Sequence, residues 1–135
     1  MEYEKPHIIQ FPKIGNSEIG FISIGEANKL IPFVIERVFW TYFTPQSLSR
    51  GRHAHRKTEQ VLIAANGVIN VSTELPDGTV QNFLLDNPDI GVYVPPNAWH
   101  VMNYSHAAVQ LVMASSAYDE KDYIRDYDQF KTLWK

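Results

Sequence analysis

Two histidines stand one residue apart near the middle of the chain, in the segment GRHAHRKTEQ at residues 51–60. A β-strand turns alternate side chains to opposite faces, so His53 and His55 would share one face, about 7 Å apart. A neutral imidazole, with an ordinary pKa of about 6.5, can accept or return a proton at physiological pH, and it can also ligate a metal. The spacing therefore predicts one site for proton transfer or metal binding.

A second segment, GVYVPPNAWHVMN at residues 91–103, carries a third histidine, His100, directly after Trp99. Three histidines that return to one pocket from two distant segments indicate a site rather than a surface pair. With Gln60 they could ligate a divalent metal. The neutral amide and the cations between Arg50 and Lys57 argue against an ion, because nothing there offsets its charge. The remaining histidines, His7 and His106, have no such neighbours, and we predict surface positions for them.

The composition is that of a globular protein, with 44% hydrophobic, 13% aromatic and 20% charged residues in 135 positions. This length fits one domain, which we predict to span residues 1–135. The net charge of −3 and the single basic cluster do not favour nucleic-acid binding. The absence of cysteine excludes thiolate chemistry. No apolar run approaches the roughly 20 residues of a membrane span, and the start MEYEKPHIIQF does not resemble a secretory signal, so we expect a cytoplasmic protein without membrane contact.

Short β-branched and aromatic runs separated by turn residues predict a mostly β protein. Nine strands are predicted, at residues 7–11, 20–24, 33–43, 51–55, 60–65, 68–74, 79–85, 91–95 and 107–115. Asn66-Gly67 predicts a type I′ hairpin, and Pro76-Asp77-Gly78 predicts a second turn. So many strands require two packed sheets or a barrel. The tail differs, because Tyr123, Tyr127, Phe130 and Trp134 have the spacing of one helix face and predict a short C-terminal helix or arm.

The two histidine segments together resemble the two halves of the cupin motif, with Gln60 at the usual glutamate and Asn97 at the usual glycine. The resemblance implies an all-β jelly roll, a small β-barrel in which the two segments face each other. Four longer segments resemble the nucleotide-sugar 3,4-ketoisomerases, in order over about residues 5–131: IPFVIERVFWTYFTP, RGRHAHRKTEQVLIAANG, DNPDIGVYVPPNAWHVMNYS and LVMASSAYDEKDYIRDYDQF.

The second resemblance implies an isomerase that moves the ketone of dTDP-4-keto-6-deoxyglucose from C4 to C3 through an enediol. The product would enter the synthesis of 3-amino-3,6-dideoxysugars for surface glycans such as the O-antigen of lipopolysaccharide. By analogy, His53 is the base at C3 and His55 is the partner that returns protons, with no metal or other cofactor required. The resemblance implies a substrate-binding set of Arg37, Arg50, Tyr42, Gln60, Trp99 and His100.

Some of these residues have a second interpretation, and two other positions depart from the family pattern. The two arginines would balance the enediolate and the diphosphate. Trp99 could close the sugar pocket or pack in the core, and a histidine at His100 resembles the type that gives the axial, galacto product. The family commonly has a tyrosine where this chain has Phe39, and Tyr42 could replace it only through a bulge, because it lies on the opposite face of an ideal strand. Ile19 likewise stands where a polar or aromatic contact is expected.

Two other functions remain open at this point. One is a metal-dependent small cupin resembling a dioxygenase, and the other is a non-catalytic binder of sugar nucleotides, which Phe39 suggests. For each of the three functions we expect a homodimer, because the N-terminal strands and the aromatic tail leave apolar edges that a second subunit would cover. The family resemblance implies that the subunits exchange N-terminal strands.

Overall fold

The computed structural model describes residues 4–133, and about half of them lie in antiparallel β-strands. The twelve strands are β1 (His7–Gln10), β2 (Lys13–Asn16), β3 (Gly20–Ser23), β4 (Arg37–Tyr42), β5 (Ser49–His55), β6 (Gln60–Asn66), β7 (Ile69–Glu74), β8 (Val80–Leu85), β9 (Ile90–Val94), β10 (Trp99–Tyr104), β11 (Val109–Ala114) and β12 (Tyr123–Ile124). A 3-10 turn at Glu120–Asp122 precedes β12, and one α-helix, α1, spans Tyr127–Thr132.

The strands form two five-stranded sheets and one separate hairpin. Sheet 1 has the order β1-β9-β6-β11-β4, sheet 2 has the order β12-β5-β10-β7-β8, and β2 pairs only with β3. Alternate residues of facing strands, such as Leu62 and Val112 from sheet 1 and Val71 and Met102 from sheet 2, form one buried cluster between the sheets. This arrangement is the predicted all-β, cupin-like jelly roll.

Each of the nine predicted segments contains a strand, but three further strands were not predicted. These are β2, β10 and β12. The long strand predicted at 33–43 begins only at Arg37, because the preceding residues pack as irregular chain over the outer face of sheet 1, where Ile31 and Phe33 are buried. The sequence pattern does not predict β10, because the inward positions of this strand include a histidine, which interrupts the apolar alternation typical of a strand.

The Asn66-Gly67 hairpin prediction is wrong. The two strands that flank this pair do not pair with each other: β6 belongs to sheet 1 and β7 belongs to sheet 2. Gly67 does adopt a positive φ of 73°, and a Cβ there would lie 2.8 Å from Ala108 Cα. The Asn66 side chain donates to the Ala107 carbonyl, so the dipeptide crosses between sheets while docked on the β10–β11 turn. The turn at Pro76-Asp77-Gly78 is confirmed, since it joins the paired strands β7 and β8.

The C-terminal segment is only partly helical. Tyr123, predicted on a helix face, lies instead in β12, which pairs with the end of β5 through Tyr123↔His55 and Ile124↔Ala54. Asp126 then caps α1 by accepting hydrogen bonds from the backbone N–H groups of Asp128 and Gln129. The helix buries Phe130 against the outer face of sheet 2. Trp134, the last member of the predicted face, lies outside the described residues.

One helix is described, and between residues 4 and 133 no helix is long and apolar enough to cross a membrane.

Candidate functional site

Three imidazole rings meet between the sheets, at the end of the barrel where β12 closes the edge of β5. The ring centroids of His53 and His55 are 5.0 Å apart, those of His53 and His100 are 4.6 Å apart, and those of His55 and His100 are 5.9 Å apart. His55 and His100 are only 2% and 1% exposed, whereas His53 is partly exposed. The structure therefore brings together the three histidines that the sequence pattern singled out.

Strand pairing explains this convergence. His100 of β10 is the direct cross-strand partner of His53 in β5, and directly opposed residues of an antiparallel pair point to the same face. His55 reaches that face by ordinary alternation along β5. The turn before β10 is fixed by Asn97, whose N–H donates to the His55 carbonyl at 2.6 Å. Asn97 has a φ of 65°, a conformation that glycine and asparagine tolerate best, which accounts for its replacing the glycine of the cupin motif.

A bulge in β5 brings Arg50 to the histidine side. The register with β10 shifts between His100 and Val101, where Gly51 and Arg52 have positive φ values of 87° and 60°. Without the extra residue, Arg50 and His53, three positions apart, would face opposite ways. With it, Arg50 lies opposite Met102, whose side chain is in the core between the sheets. Arg50 is therefore an exposed cation on the inward face of sheet 2.

A buried carboxylate holds one of the histidines. Asp122 Oδ2 lies 3.1 Å from His55 Nδ1 and also accepts a hydrogen bond from the Thr58 hydroxyl, while its Oδ1 accepts the Lys57 backbone N–H at 2.8 Å. The Thr58 hydroxyl is in turn hydrogen-bonded to Ser116. Burial raises the pKa of Asp122, but the hydrogen bonds from Thr58, Lys57 and His55 outweigh it and lower the pKa. Asp122 is therefore an anion beside a neutral imidazole.

The other two histidines are held differently. His100 Nδ1 lies 3.0 Å from the Ala98 carbonyl, which can only accept, so the proton of the neutral ring is on Nδ1 and Nε2 is a free lone pair. His53 Nδ1 and His55 Nε2 are buried and have no hydrogen-bond partner among residues 4–133. Because buried polar atoms are normally paired, these two nitrogens indicate where a ligand binds.

Burial keeps all three rings neutral at physiological pH. Burial, followed by the neighbouring His55, lowers the pKa of His53 from 6.5 to about 4. Burial also lowers the pKa of His55, against the opposing effect of Asp122, and it lowers the pKa of His100 well below 6.5. Neutral rings are what both a general base and a metal ligand require.

Arg37 and Tyr123 complete the wall of the cluster. The Tyr123 ring centroid is 5.0 Å from that of His53 and 4.4 Å from that of His55. Its hydroxyl accepts a hydrogen bond from Arg37 Nη1 at 3.4 Å, while Arg37 Nε is buried and has no hydrogen-bond partner in the described part of the chain. The guanidinium of Arg125 lies 4.3 Å from the Tyr123 ring centroid on the rim. The cluster thus has one phenol and two cations beside its imidazoles.

The sequence did not indicate Tyr123, Asp122 or Thr58 as site residues. The aromatic spacing predicts a helix face for Tyr123, and Asp122 is one of several acids in the run DEKDYIRDYD. Their positions depend on β12 folding back onto β5, a pairing between segments almost 70 residues apart. No local pattern distinguishes them from the exposed acids and tyrosines around them.

Two residues predicted to bind substrate lie away from the cluster. Trp99 and His100 are consecutive in β10 and point to opposite faces, so Trp99 packs in the outer cluster with Phe130, at 5.6 Å between ring centroids. Tyr42 lies on the outer face of β4, opposite Arg37 and Phe39, and is 55% exposed. No bulge brings it inward, because β4 pairs with β11 in unbroken register. In this chain Trp99 and Tyr42 therefore lie outside the histidine cluster, and their substrate-binding roles stay predictions.

The remaining predicted positions fall in three places. Gln60 is buried at the start of β6 and shares the inward side of its strand with Leu62. Phe39 packs against the core between the sheets, with its ring centroid 5.4 Å from the Arg37 guanidinium, so the missing hydroxyl would have pointed into the interior. Ile19 is exposed in the β2–β3 turn. His7 and His106 lie at exposed positions, as predicted.

The three imidazoles could also hold a metal ion. One nitrogen from each ring lies within 4.8 Å of the others. The bond from His55 to Asp122 is an arrangement common around metal-bound histidine, because the carboxylate fixes the ring's tautomer. The geometry alone is therefore compatible with either chemistry predicted from the histidine spacing.

Comparison with known proteins decides the family. The chain matches the sequence model of the FdtA family, described as WxcM-like, C-terminal, over residues 4–135. The protein belongs to the FdtA family. One relative, the TDP-4-oxo-6-deoxy-alpha-D-glucose-3,4-oxoisomerase of Aneurinibacillus thermoaerophilus, is 47% identical over 126 residues, which cover 92% of this chain and 88% of that protein. The resemblance to the sugar 3,4-ketoisomerases is therefore confirmed.

Solved structures of 3,4-ketoisomerases agree with the fold. A 3,4-ketoisomerase from Helicobacter canadensis superposes with a TM-score of 0.90 at 35% identity, covering 97% of this chain and 98% of that one. A histidine-to-asparagine mutant of the 3,4-ketoisomerase QdtA from Thermoanaerobacterium thermosaccharolyticum, in complex with TDP-4-keto-6-deoxyglucose, has a TM-score of 0.89 at 35% identity, covering 97% and 94%. The all-β, cupin-like prediction is confirmed by these relatives.

Proposed function

We propose that this protein is an isomerase that converts TDP-4-keto-6-deoxyglucose into the corresponding 3-keto sugar. The observation that carries the proposal is the pair of buried, unpartnered imidazole nitrogens, His53 Nδ1 and His55 Nε2, in a chain of the FdtA family. The relatives are isomerases of this kind, which supports an enzyme over a binder. The product would supply 3-amino-3,6-dideoxysugars for surface glycans.

The reaction needs proton transfer at two adjacent carbons. A carbonyl at C4 acidifies the C3 hydrogen, a base removes it, and the resulting enediol is protonated at C4, which leaves the ketone at C3. We assign the first step to His53, which takes the C3 hydrogen as a proton and passes it to the C4 oxygen as the enediol forms. We assign the second step to His55, which takes the proton of the C3 hydroxyl and delivers it to C4, so that both rings end neutral. Both rings are neutral because burial lowers their pKa values, so both can accept a proton at pH 7. Their 5.0 Å centroid separation is suited to neighbouring sugar carbons.

Negative charge develops on the sugar oxygens as the enediolate forms. Arg37 supports this step because its buried Nε has no partner and its Nη1 already contacts Tyr123 beside the histidines. A preorganised cation of this kind stabilises the intermediate more in a buried site than in water. Arg50, on the inward face of sheet 2, is assigned to the diphosphate. Gln60 and His100 are assigned to the sugar, and the axial C4 product implied by His100 stays a prediction.

The decisive experiment is incubation of the protein with TDP-4-keto-6-deoxyglucose in deuterated water, followed by NMR. We expect a 3-keto product with deuterium at the new C4 position. The His53→Asn variant should abolish turnover while nucleotide-sugar affinity changes by less than about threefold, because the amide keeps a polar group near the position of Nδ1 but is not a base. Unchanged substrate with the wild-type protein would contradict the proposal. Tight binding without turnover would instead favour a non-catalytic binder.

The metal-dependent function is the second candidate, because one nitrogen from each of three rings lies within 4.8 Å of the others. If the protein has this function, we expect a stoichiometric amount of bound metal and a loss of activity after the metal is removed by a chelator. The isomerase needs no metal for proton transfer, so its turnover should survive treatment with a chelator. Metal analysis of the purified protein and the same NMR assay after chelation therefore separate the two candidates.

We also propose that the single domain of residues 1–135 acts in the cytoplasm as a homodimer with exchanged N-terminal strands. The outer side of β4 supports a dimer, because Val38, Trp40 and Tyr42 are 48–60% exposed there, together with Phe43 at 84%. The β2–β3 hairpin supports exchange, because it pairs with neither main sheet and exposes Phe21 and Ile22. A cavity of about 610 Å³ lies between that hairpin and sheet 1, which a partner's chain would fill.

Light scattering tests the dimer. We expect Trp40→Glu to shift the mass from about 31 kDa, twice the 15.5 kDa chain, towards one chain, because it places a charge in the apolar face. Leu84→Glu is a matched control, since Leu84 is also an exposed apolar residue but lies on the edge strand of sheet 2. A wild-type monomer, or equal effects of both variants, would contradict the proposal.

A further inference from the structure

We infer that Asp122 is a positioning residue of the isomerase: it fixes the tautomer of His55, so that Nε2 is the nitrogen that exchanges protons with the sugar. The inference rests on the proposed function and assigns a role to a residue that does not itself reach the substrate. Asp122 is 5% exposed, on the far side of the His55 ring from the unpartnered Nε2.

The hydrogen bonds around Asp122 leave it only one role towards His55. Its Oδ1 accepts from the Lys57 backbone N–H, which can only donate. Its Oδ2 accepts a hydrogen bond from the Thr58 hydroxyl and lies 3.1 Å from His55 Nδ1. An ionised carboxylate has no proton to give, so Nδ1 must carry the hydrogen. The second nitrogen of a neutral ring then has a lone pair, and Nε2 of His55 is a proton acceptor.

The same carboxylate also stabilises the product of proton uptake. When His55 accepts a proton at Nε2, the ring becomes a cation 3.1 Å from the Asp122 oxygen. The hydrogen bond and the negative charge of Asp122 already act to raise the pKa of His55 against the effect of burial. Without the carboxylate, the buried ring would be a weaker base in a site that also holds Arg37 and Arg125.

Asp122 has a structural role as well, which the test must separate. Its backbone carbonyl accepts the Arg56 N–H at 2.8 Å, and its side chain accepts the Lys57 N–H, so it anchors the 3-10 turn to the end of β5. Removal of the whole side chain would disturb both roles. An asparagine keeps the shape and can still accept from Lys57 through its carbonyl oxygen. Its amide, however, would donate to His55 Nδ1 and move the ring proton to Nε2.

The test is Asp122→Asn, measured by kinetics and by ¹⁵N NMR of labelled histidine. We expect kcat at pH 7 to fall by about 10²- to 10⁴-fold, the usual contribution of general acid–base catalysis, with KM changed less than about threefold. The acid limb of the pH profile should move to lower pH, because the variant lacks the charge that raises the pKa of His55. The NMR spectrum should show His55 protonated on Nδ1 in the wild-type protein and on Nε2 in the variant.

Asp126→Asn is the matched control. Asp126 caps α1 in the same C-terminal segment, and asparagine caps a helix as well as aspartate does, so kcat and the His55 signals should not change. An unchanged kcat in Asp122→Asn would overturn the inference. So would a variant that loses both kcat and stability while the ring proton of His55 stays on Nδ1.

The NMR spectrum of the wild-type protein tests the inference even if the variant fails to fold. A His55 proton on Nε2 in the wild-type protein would overturn the role assigned to Asp122. Absence of turnover in the wild-type protein would refute the proposed function, while the wild-type tautomer would still decide whether Asp122 fixes the ring.

Discussion

The bulge in β5 can be tested by adding a single methyl group at Gly51. A Cβ on this residue would lie 2.7 Å from the His100 carbonyl oxygen and 3.1 Å from Met102 Cε. The oxygen belongs to the backbone of the strand that carries His100, so it cannot move aside as a flexible side chain could. Gly51→Ala must therefore push β5 and β10 apart at the point where His53 faces His100.

The expected cost has two parts. A non-glycine residue in the left-handed region costs about 1–2 kcal/mol, and Gly51 has a φ of 87°. Overpacking against an unyielding neighbour adds about 1–3 kcal/mol. Gly51→Ala should therefore lower the free energy of unfolding by about 2–5 kcal/mol, and its kcat should fall because the histidines are displaced.

Gly78→Ala is the control for the backbone term. Gly78 has a similar φ of 93° in the β7–β8 turn, but a Cβ there meets nothing within 4 Å. It should lose only about 1–2 kcal/mol and keep its kcat. Urea denaturation followed by circular dichroism measures both free energies, and the NMR turnover assay measures both activities. Equal destabilisation of the two variants, or full activity in Gly51→Ala, would refute the role assigned to the bulge.

Two further predictions concern pH and the interior of β4. Because the pKa of folded His53 is about 4 and that of an unfolded histidine is about 6.5, the unfolded chain binds more protons between these values. The contribution of His53 to stability should therefore be constant above pH 6.5 and fall by up to about 3 kcal/mol as the pH drops towards 4. His55 and His100, whose pKa values burial also lowers, add to the fall. His53→Asn should therefore make the fall less steep in urea titrations, and an unchanged slope would contradict the shift. Phe39→Tyr should raise kcat about three- to tenfold, less than a full general acid contributes because Tyr123 already supplies a phenol beside Arg37. A decrease in kcat at unchanged stability would show that a hydroxyl at position 39 is not used.

Strand periodicity predicted the part of the site that depends on local geometry. Two histidines at i and i+2 share a face in any regular strand, and the family motif supplied the third from β10. The position of Arg50 could not be read in this way, because a bulge changes the parity of every residue before it. Gly51-Arg52 gives only a weak signal of such a bulge, since arginine at positive φ is unusual.

Other errors arose where one sequence signal has two structural meanings. Asn66-Gly67 favours positive φ, and Gly67 has it, but the same dipeptide can join strands of different sheets. Aromatic residues at spacings of three and four predict a helix face, yet Tyr123 belongs to a two-residue strand. Neighbouring residues of a strand point to opposite faces of the sheet. Because His100 points between the sheets, Trp99 points outward and packs in the outer cluster.

The bond between His55 and Asp122 joins residues 67 positions apart, whereas the β7–β8 ribbon forms from neighbouring segments. Closing so long a loop costs entropy before any contact compensates for it, so local hairpins should form early during refolding and this dyad late. Turnover should consequently reappear after the circular dichroism signal of the sheets has recovered, with a lag set by the docking of one short strand.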